Sequence, residues 1–332
     1  MLRFALFGAG RIGRMHAETL SLHPATELIY VYDIHRPTAE QVATQYGART
    51  ASNVDEILSD KGIDAVLIAS STHTHVSLLE QAAAAGKAVL CEKPIDLDFT
   101  RVEQCRAALS ELQTPIQIGF NRRFDPGHQA LYRAIQDGEI GNLEQLIITS
   151  RDPGLPSIDY LKHSGGLFRD MLIHDFDMAR FILGEDPVEV CAYGSALVDV
   201  EVSAVGDIDS AMVILKTATG RLCHINGSRR ATYGYDQRIE ALGSKGMLLS
   251  NNPTKTHLER YRADSTAARE PLKNFFIDRY EEAYRLQVAA FVSAVEKGQA
   301  PTPSFEDGYK AQLLAEAAIK SLQSGSSVRL DG

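Results

Sequence analysis

Residues 2–13 read Leu2-Arg3-Phe4-Ala5-Leu6-Phe7-Gly8-Ala9-Gly10-Arg11-Ile12-Gly13, an almost unbroken apolar run leading into a G-x-G-x-x-G pattern, and a helix-compatible segment over 11–22 follows. A strand covered on both faces reads as such a continuous run. Gly8 permits the tight turn, Gly10 lets the backbone approach a pyrophosphate, and Gly13 lets helix pack closely on strand. The helix start at Arg11 and Ile12 then supplies N–H donors for phosphate. Asp33 ends the next apolar run, 27–33, twenty residues beyond Gly13. There a carboxylate accepts hydrogen bonds from an adenosine ribose diol and repels a 2′-phosphate. Glycine-rich turns alone are common, but strand, glycines, helix and acid in this order specify a dinucleotide site. Arg36 is placed where it could accommodate a 2′-phosphate; Asp33 is given the greater weight, and NAD is the expected cofactor.

Working outward, further apolar runs at 65–70, 87–92 and 115–120 alternate with helix-length segments. That is a βαβ series, which predicts a mostly parallel sheet. After Asn121 the texture changes. Helical stretches near 125–138 and 166–183 precede a block over 187–262, whose runs at 188–198, 210–217, 221–227 and 237–244 carry β-favouring residues between short Gly-containing breaks. Two helices close the chain, near 275–297 and 305–323. Tyr284, Val288, Phe291 and Val295 recur at helical spacing in the first, and Ser304 with Asp307 gives the second a capped start. The expected fold is α/β, with an N-terminal NAD-binding Rossmann domain over 1–120. It is joined without a long linker to a C-terminal α+β domain over 121–332, built on a largely antiparallel open sheet. The last helix is expected to pack back toward the first domain.

At 332 residues the chain exceeds what one core usually organises, which agrees with two domains. No stretch approaches the roughly 18 apolar residues of a membrane span. The start of the chain shows neither a basic region followed by an apolar one nor a small-residue cleavage site, so the expected location is the cytoplasm. Cys91, Cys105, Cys191 and Cys223 lie far apart without a CxxC pair and are expected as buried thiols. The net charge is −9, and no basic run exceeds the pairs Arg122-Arg123 and Arg229-Arg230, so nucleic acid is not an expected partner.

Candidate chemistry gathers at predicted strand ends. Ser70, Ser71 and Thr72, followed by His73 and His75, place polar groups at the carboxyl edge of the sheet, where ligands of doubly wound folds sit. A plain helix cap is the other reading of Thr72 and Thr74. Cys91-Glu92-Lys93-Pro94 ends the next strand, so Lys93 faces the cofactor crevice, with Pro94 holding it out of the helical region; a solvated turn is the bland alternative. In Gly165-Gly166 through Asp177, a helix puts Asp170, His174 and Asp177 on one face, among Met171, Leu172, Ile173 and Met178. An Asp one turn before a His suits a general base, because it orients the ring and favours the imidazolium. A structural Asp-His pair is the other reading. Two metal ligands are a third, but no third ligand is signalled by spacing, and no metal is expected.

Taken together, Gly8-x-Gly10-x-x-Gly13, Glu92-Lys93-Pro94, Gly119-Phe120-Asn121-Arg122-Arg123-Phe124 and Gly165-Gly166 through Asp170-x-x-x-His174-Asp175 resemble the glucose-fructose oxidoreductase and inositol dehydrogenase (Gfo/Idh/MocA) family. Pro303-Ser304-Phe305-Glu306-Asp307-Gly308 extends the likeness to the end of the chain. Arg122-Arg123, Arg151-Asp152-Pro153 and Tyr233-Gly234-Tyr235-Asp236 are most similar to the inositol 2-dehydrogenase branch. The resemblance implies that Lys93, Asp170 and His174 are catalytic and that Arg123, Asp152 and Tyr235 contact a polyol. It also implies a homo-oligomer, a tetramer, formed through the open sheet. The cofactor set expected with it is Gly8, Gly10, Arg11, Ile12, Gly13, Asp33, Ser70, Ser71, His75 and Glu92. One departure stands out: where many relatives show Thr-Pro-Asn, this chain has Ser70-Ser71-Thr72. The expected activity is hydride transfer from a secondary ring hydroxyl of myo- or scyllo-inositol to NAD. A pyranose dehydrogenase or reductase of the same family is the nearer alternative, and a non-catalytic NAD-binding regulator the farther one.

Overall fold

The structure is a computed structural model that describes residues 1–330. The chain divides into two compact units, one formed by 1–124 with 282–310, the other by 125–281 with 311 onward. In the first unit six parallel strands, β1 (Leu2–Phe7), β2 (Thr26–Tyr32), β3 (Arg49–Thr50), β4 (Ala65–Ile68), β5 (Ala88–Cys91) and β6 (Ile116–Ile118), lie in the order β3-β2-β1-β4-β5-β6. They alternate with helices α1 (Arg11–Leu22), α2 (Arg36–Tyr46), α3 (Val54–Ser59), α4 (His75–Ala84) and α5 (Phe99–Leu109). Each apolar run read as a strand is one; β3 is a short addition. Phe7 lies opposite Tyr32 and Ile68, Ile68 opposite Cys91, and Cys91 opposite Ile118. This register brings Gly8, Asp33, Ala69, Glu92 and Gly119 out at one edge, on both sides of the point where strand order reverses.

The second unit contains α6 (Pro126–Gln136), β7 (Leu143–Arg151), α7 (Ile158–Ser164), α8 (Gly166–Asp170), α9 (Ile173–Leu183), β8 (Pro187–Ser195), α10 (Val200–Ala204), β9 (Ser210–Thr217), β10 (Leu222–Ser228), β11 (Asp236–Gly243) and β12 (Gly246–Ser250). A hairpin of β13 (Glu259–Arg262) and β14 (Ser265–Arg269) follows, then α11 (Phe276–Glu296), α12 (Phe305–Ser324) and β15 (Val328–Arg329). Seven strands form one sheet in the order β12-β11-β7-β10-β9-β8-β15. Every named pairing in it is antiparallel except β7 with β10. Its inner face, including Leu146, Ile148, Val213, Leu215 and Ile225, packs against Phe176, Ala179 and Ile182 of α9 and Leu314 and Ala318 of α12.

Three features differ from the sequence reading. Strand β7 lies near the middle of the sheet although no strand is expected there, because the adjacent polar residues Glu144 and Gln145 break its alternation. The single helix expected over 166–183 is two. Leu172 N–H reaches back five residues to the Leu167 carbonyl, and Leu172 then opens α9, so Asp170 and His174 do not share one regular helix face. Finally, the domain expected over 121–332 is not continuous. Helix α11 leaves helical geometry at Tyr280 (φ −113°, ψ 16°). Beyond this kink Val288, Phe291 and Val292 belong to the core of the first unit, where the Phe291 ring stands 6.0 Å from that of Phe4. The capped start of α12 is realised: Ser304 N–H donates to Asp307 Oδ2 (2.8 Å) and Asp307 N–H to Ser304 Oγ (3.2 Å). Among the described residues no helix is long and apolar enough to cross a membrane. Cys91, Cys105 and Cys223 are buried as expected, while Cys191 is half-buried.

Because a fully buried aromatic side chain replaced by alanine costs about 3–5 kcal/mol, Phe291→Ala should destabilise the protein by that amount in a denaturant melt. A loss below about 1 kcal/mol would mean that α11 is not part of the first unit's core.

Candidate active site

The turn after β1 leaves no room for side chains at two of its glycines. Gly8 has φ +95°, and a Cβ on it would stand 2.5 Å from the Ala69 carbonyl oxygen; one on Gly13 would stand 2.0 Å from the Gly8 carbonyl oxygen. Gly10, exposed at the N-cap of α1, has nothing within 4 Å of a built Cβ, so the space in front of the helix start is open. No side chain caps that helix, which leaves its first N–H groups for an anion. Asp33 is fixed just past β2: Ala9 N–H donates to its Oδ2 (2.7 Å) and His35 N–H to its Oδ1 (2.8 Å). Arg36 sits on the surface with its guanidinium on Glu40 (2.8 Å). Open cradle, uncapped helix and anchored acid together fit a dinucleotide with a free ribose diol.

Around the other strand ends the expected residues divide. Ser71 is exposed, and Ser70 Oγ meets Thr74 Oγ1 at 2.7 Å. Thr74 gives no side-chain cap to α4, so the helix-cap alternative is not what this residue does. His75 is buried, with Nδ1 2.8 Å from the Pro94 carbonyl and Nε2 3.0 Å from the Ser70 carbonyl. Glu92 places Oε1 2.7 Å from Nε2 of the buried His16. His75 thus has both ring nitrogens against backbone carbonyls of the protein, and Glu92 has one carboxylate oxygen on His16. Lys93 follows Glu92, half-buried. Arg122 and Arg123 are buried rather than solvated, and Arg123 Nη2 donates to Asp307 Oδ1 at 3.0 Å.

In the second unit Arg151, the last residue of β7, lies opposite Ser228 of β10 and Asp236 of β11. Asp152, Arg229 and Tyr235 therefore leave the sheet at one edge, and Asp152 N–H donates to the Ser228 carbonyl (2.9 Å). Arg229 is 1% exposed and sends Nη2 to Asp170 Oδ2 at 3.0 Å, while the Tyr160 hydroxyl donates to Asp170 Oδ1 at 2.9 Å. His174, in the first turn of α9, is the one half-buried residue in the run from Met171 to Ala179. Tyr235 is buried, edge-on to Tyr280 at 6.1 Å. Next to it, Asp236 accepts from Arg238, Tyr233 and Asn252; burial opposes its charge, but these donors hold the carboxyl below the usual range. Arg229 and Tyr160 escape the sequence reading: Arg229 meets Asp170 across 59 residues, and Tyr160 meets it from a separate helix, α7.

The glycine geometry separates folding from binding. Gly10→Ala, at φ −69° with open space around it, should melt like the parent yet bind NADH about tenfold or more weakly, since the methyl group enters the phosphate space. Gly13→Ala should instead lower the melting temperature. Fluorescence titration and thermal melts check both, and normal NADH binding by Gly10→Ala would place the pyrophosphate elsewhere.

Comparison with known proteins gives the family. Residues 2–120 match the oxidoreductase family with NAD-binding Rossmann fold, and residues 128–249 match the GFO/IDH/MocA C-terminal domain. Over 321 residues the chain is 49% identical to the inositol 2-dehydrogenase of Rhizobium meliloti, covering 97% of each protein. A myo-inositol dehydrogenase structure from Corynebacterium glutamicum has a TM-score of 0.95 at 43% identity, covering 100% of this chain and 99% of that one. The scyllo-inositol dehydrogenase of Lactobacillus casei with bound NAD(H) and scyllo-inositol gives 0.92 at 25% identity, with 99% of each chain covered. This chain belongs to the GFO/IDH/MocA family of oxidoreductases.

Proposed function

We propose that the protein is an NAD-dependent inositol 2-dehydrogenase, oxidising one secondary ring hydroxyl of myo- or scyllo-inositol to the keto-inositol. The observation that carries this is full-length likeness to inositol dehydrogenases, one of them holding NAD(H) and scyllo-inositol. Bound NAD supplies the hydride acceptor. Gly8, Gly10, Gly13 and the helix start at Arg11 and Ile12 receive the pyrophosphate, Asp33 the ribose diol, and Ser70 and Ser71 line the nicotinamide side. His174 takes the proton of the reacting hydroxyl, a role that typically contributes about 10²- to 10⁴-fold. Lys93 stabilises the charge developing on that oxygen. Asp170 sets the orientation of the imidazole. Because the Arg229 guanidinium offsets part of the Asp170 charge, orientation outweighs added basicity in its contribution. Arg123, Asp152 and Tyr235 serve the remaining ring hydroxyls, and a site built to hydrogen-bond hydroxyls rejects analogues that lack them.

The outer face of the seven-stranded sheet supports a homo-oligomer. The register aligns Tyr193, Met212, Asn226, Thr149 and Arg238 in one row, and Ile214, His224, Ile147, Glu240 and Leu249 in the next. Tyr193, Met212, Ile214, Met247 and Leu249 are all exposed on it, an apolar surface of the kind that marks association. A tetramer built through this face, working in the cytoplasm on a small uncharged polyol, completes the assignment.

Under one set of conditions, kcat/KM for myo-inositol or scyllo-inositol should exceed those for glucose, xylose and sorbitol, with NAD preferred over NADP. An aldose ahead of both inositols by about tenfold would move the assignment to a pyranose dehydrogenase, and equal use of NADP would implicate Arg36. Light scattering should give a tetramer for the parent and a smaller species for the double variant Met212→Glu with Ile214→Glu; an unchanged tetramer would exclude this face as an interface.

A further inference from the structure

Lys93 stands between two residues that are each fixed by a buried histidine from a different helix. On one side, the Glu92 carboxylate meets Nε2 of His16 at 2.7 Å. His16 is on α1, three residues beyond Gly13, fully buried and edge-on to the Tyr284 ring at 5.6 Å. The second carboxylate oxygen rests against Gly119, where a Cβ would stand 2.8 Å away. On the other side, the carbonyl of Pro94 meets Nδ1 of His75 at 2.8 Å, and Nε2 of the same ring lies 3.0 Å from the carbonyl of Ser70. Burial pushes the His75 pKa down, so the neutral ring carries a single N–H between these two carbonyls.

The need for such anchors follows from the sheet. Strand β5 ends at Cys91, and the Cys91–Glu92 peptide is the last one held in the parallel ladder, its N–H on the Ile68 carbonyl at 2.9 Å and its carbonyl accepting from the Gly119 N–H at 2.7 Å. Past that point strand pairing no longer holds the chain, yet a group that stabilises developing charge must be placed closely, because a misplacement of about 1 Å can cost about 10²-fold in rate. Imidazoles are costly to bury unless their polar atoms are used. Two of them spent on the immediate neighbours of one lysine are explained by the demand for its position. Neither ring is exposed, so neither reaches substrate itself. On the reading of Lys93 given above, we propose that His16 and His75 are positioning residues that grip Glu92 and Pro94 and act on the reaction through Lys93.

The two rings use different nitrogens, which gives an atom-specific test. An asparagine amide stands where Nδ1 of histidine stands, and a glutamine amide where Nε2 stands. His75→Asn keeps a donor for Pro94 and should retain most of kcat, whereas His75→Gln should lose about tenfold. For His16 the order reverses: His16→Gln keeps a donor for Glu92, and His16→Asn should lose about tenfold. In each case the Kd for NADH, from fluorescence titration, should change less than about threefold, which separates positioning of Lys93 from damage to the cofactor cradle. Lys93→Met alone should lose about 10²-fold in kcat, and in that background the same histidine changes should lower kcat less than about twofold further. Reversed or equal ranking of Asn and Gln, or full losses persisting alongside Lys93→Met, would overturn the proposal. A Lys93→Met variant that keeps kcat within about tenfold of the parent would instead overturn the role given to Lys93 itself.

Discussion

The close approach of α1 to the end of β1 is the constraint on which the first unit depends. With a Gly13 Cβ only 2.0 Å from the Gly8 carbonyl, the helix lies where it does because both positions are glycine. That approach aims the uncapped N–H groups of α1 across the strand ends. It also leaves the Ala9 N–H in position to anchor Asp33, and brings His16, one turn later, against Glu92. One packing decision thus sets the open space before α1, the Asp33 carboxylate and the backbone next to Lys93 together.

In the second unit the corresponding constraint is register. The parallel pairing of β7 with β10 inside an otherwise antiparallel sheet brings Asp152 and Arg229 out side by side, and the pairing with β11 adds Tyr235 at the same edge. A one-residue slip would turn every inward side chain outward. The alternation of β9, with Ala211, Val213 and Leu215 buried and Met212, Ile214 and Lys216 exposed, shows how firmly that register is held by the core on one face.

Legibility in the sequence followed the range of the interactions involved. The β1-turn-α1 unit, the other apolar strands of the first sheet and the capped start of α12 were readable, because each rests on neighbours within a few residues. Strand β7 was not, since Glu144 and Gln145 interrupt its period, and the break at Met171 and Leu172 was hidden in a continuous apolar stretch. The return of α11 to the first unit depends on Phe291 finding Phe4, far away in sequence. The same limit applies to the site. Lys93, Asp170 and His174 stood out by type and placement, while Arg229 acquires meaning only from Asp170, 59 residues away, and His16 only from Glu92, 76 residues away.

The pairing of Asp170 with Arg229 is best understood as a device for geometry. Replacing a buried ion pair by well-packed apolar residues is often neutral or stabilising, because desolvation offsets the Coulomb attraction. Stability alone therefore gives little reason to place a guanidinium that is 1% exposed beneath this carboxylate. What the pair does supply is a single orientation: Arg229 fixes one oxygen and the Tyr160 hydroxyl the other, so the carboxylate cannot rotate. In the role proposed for it, His174 would work through the position and tautomer of its ring, and a rotating acid nearby would blur both. The first unit reaches the same end by other means, with neutral or paired histidines on either side of Lys93. In both units a residue given a role in the proposed reaction sits at the end of an element, and side-chain polar contacts add to the rigidity that strand or helix hydrogen bonding provides there.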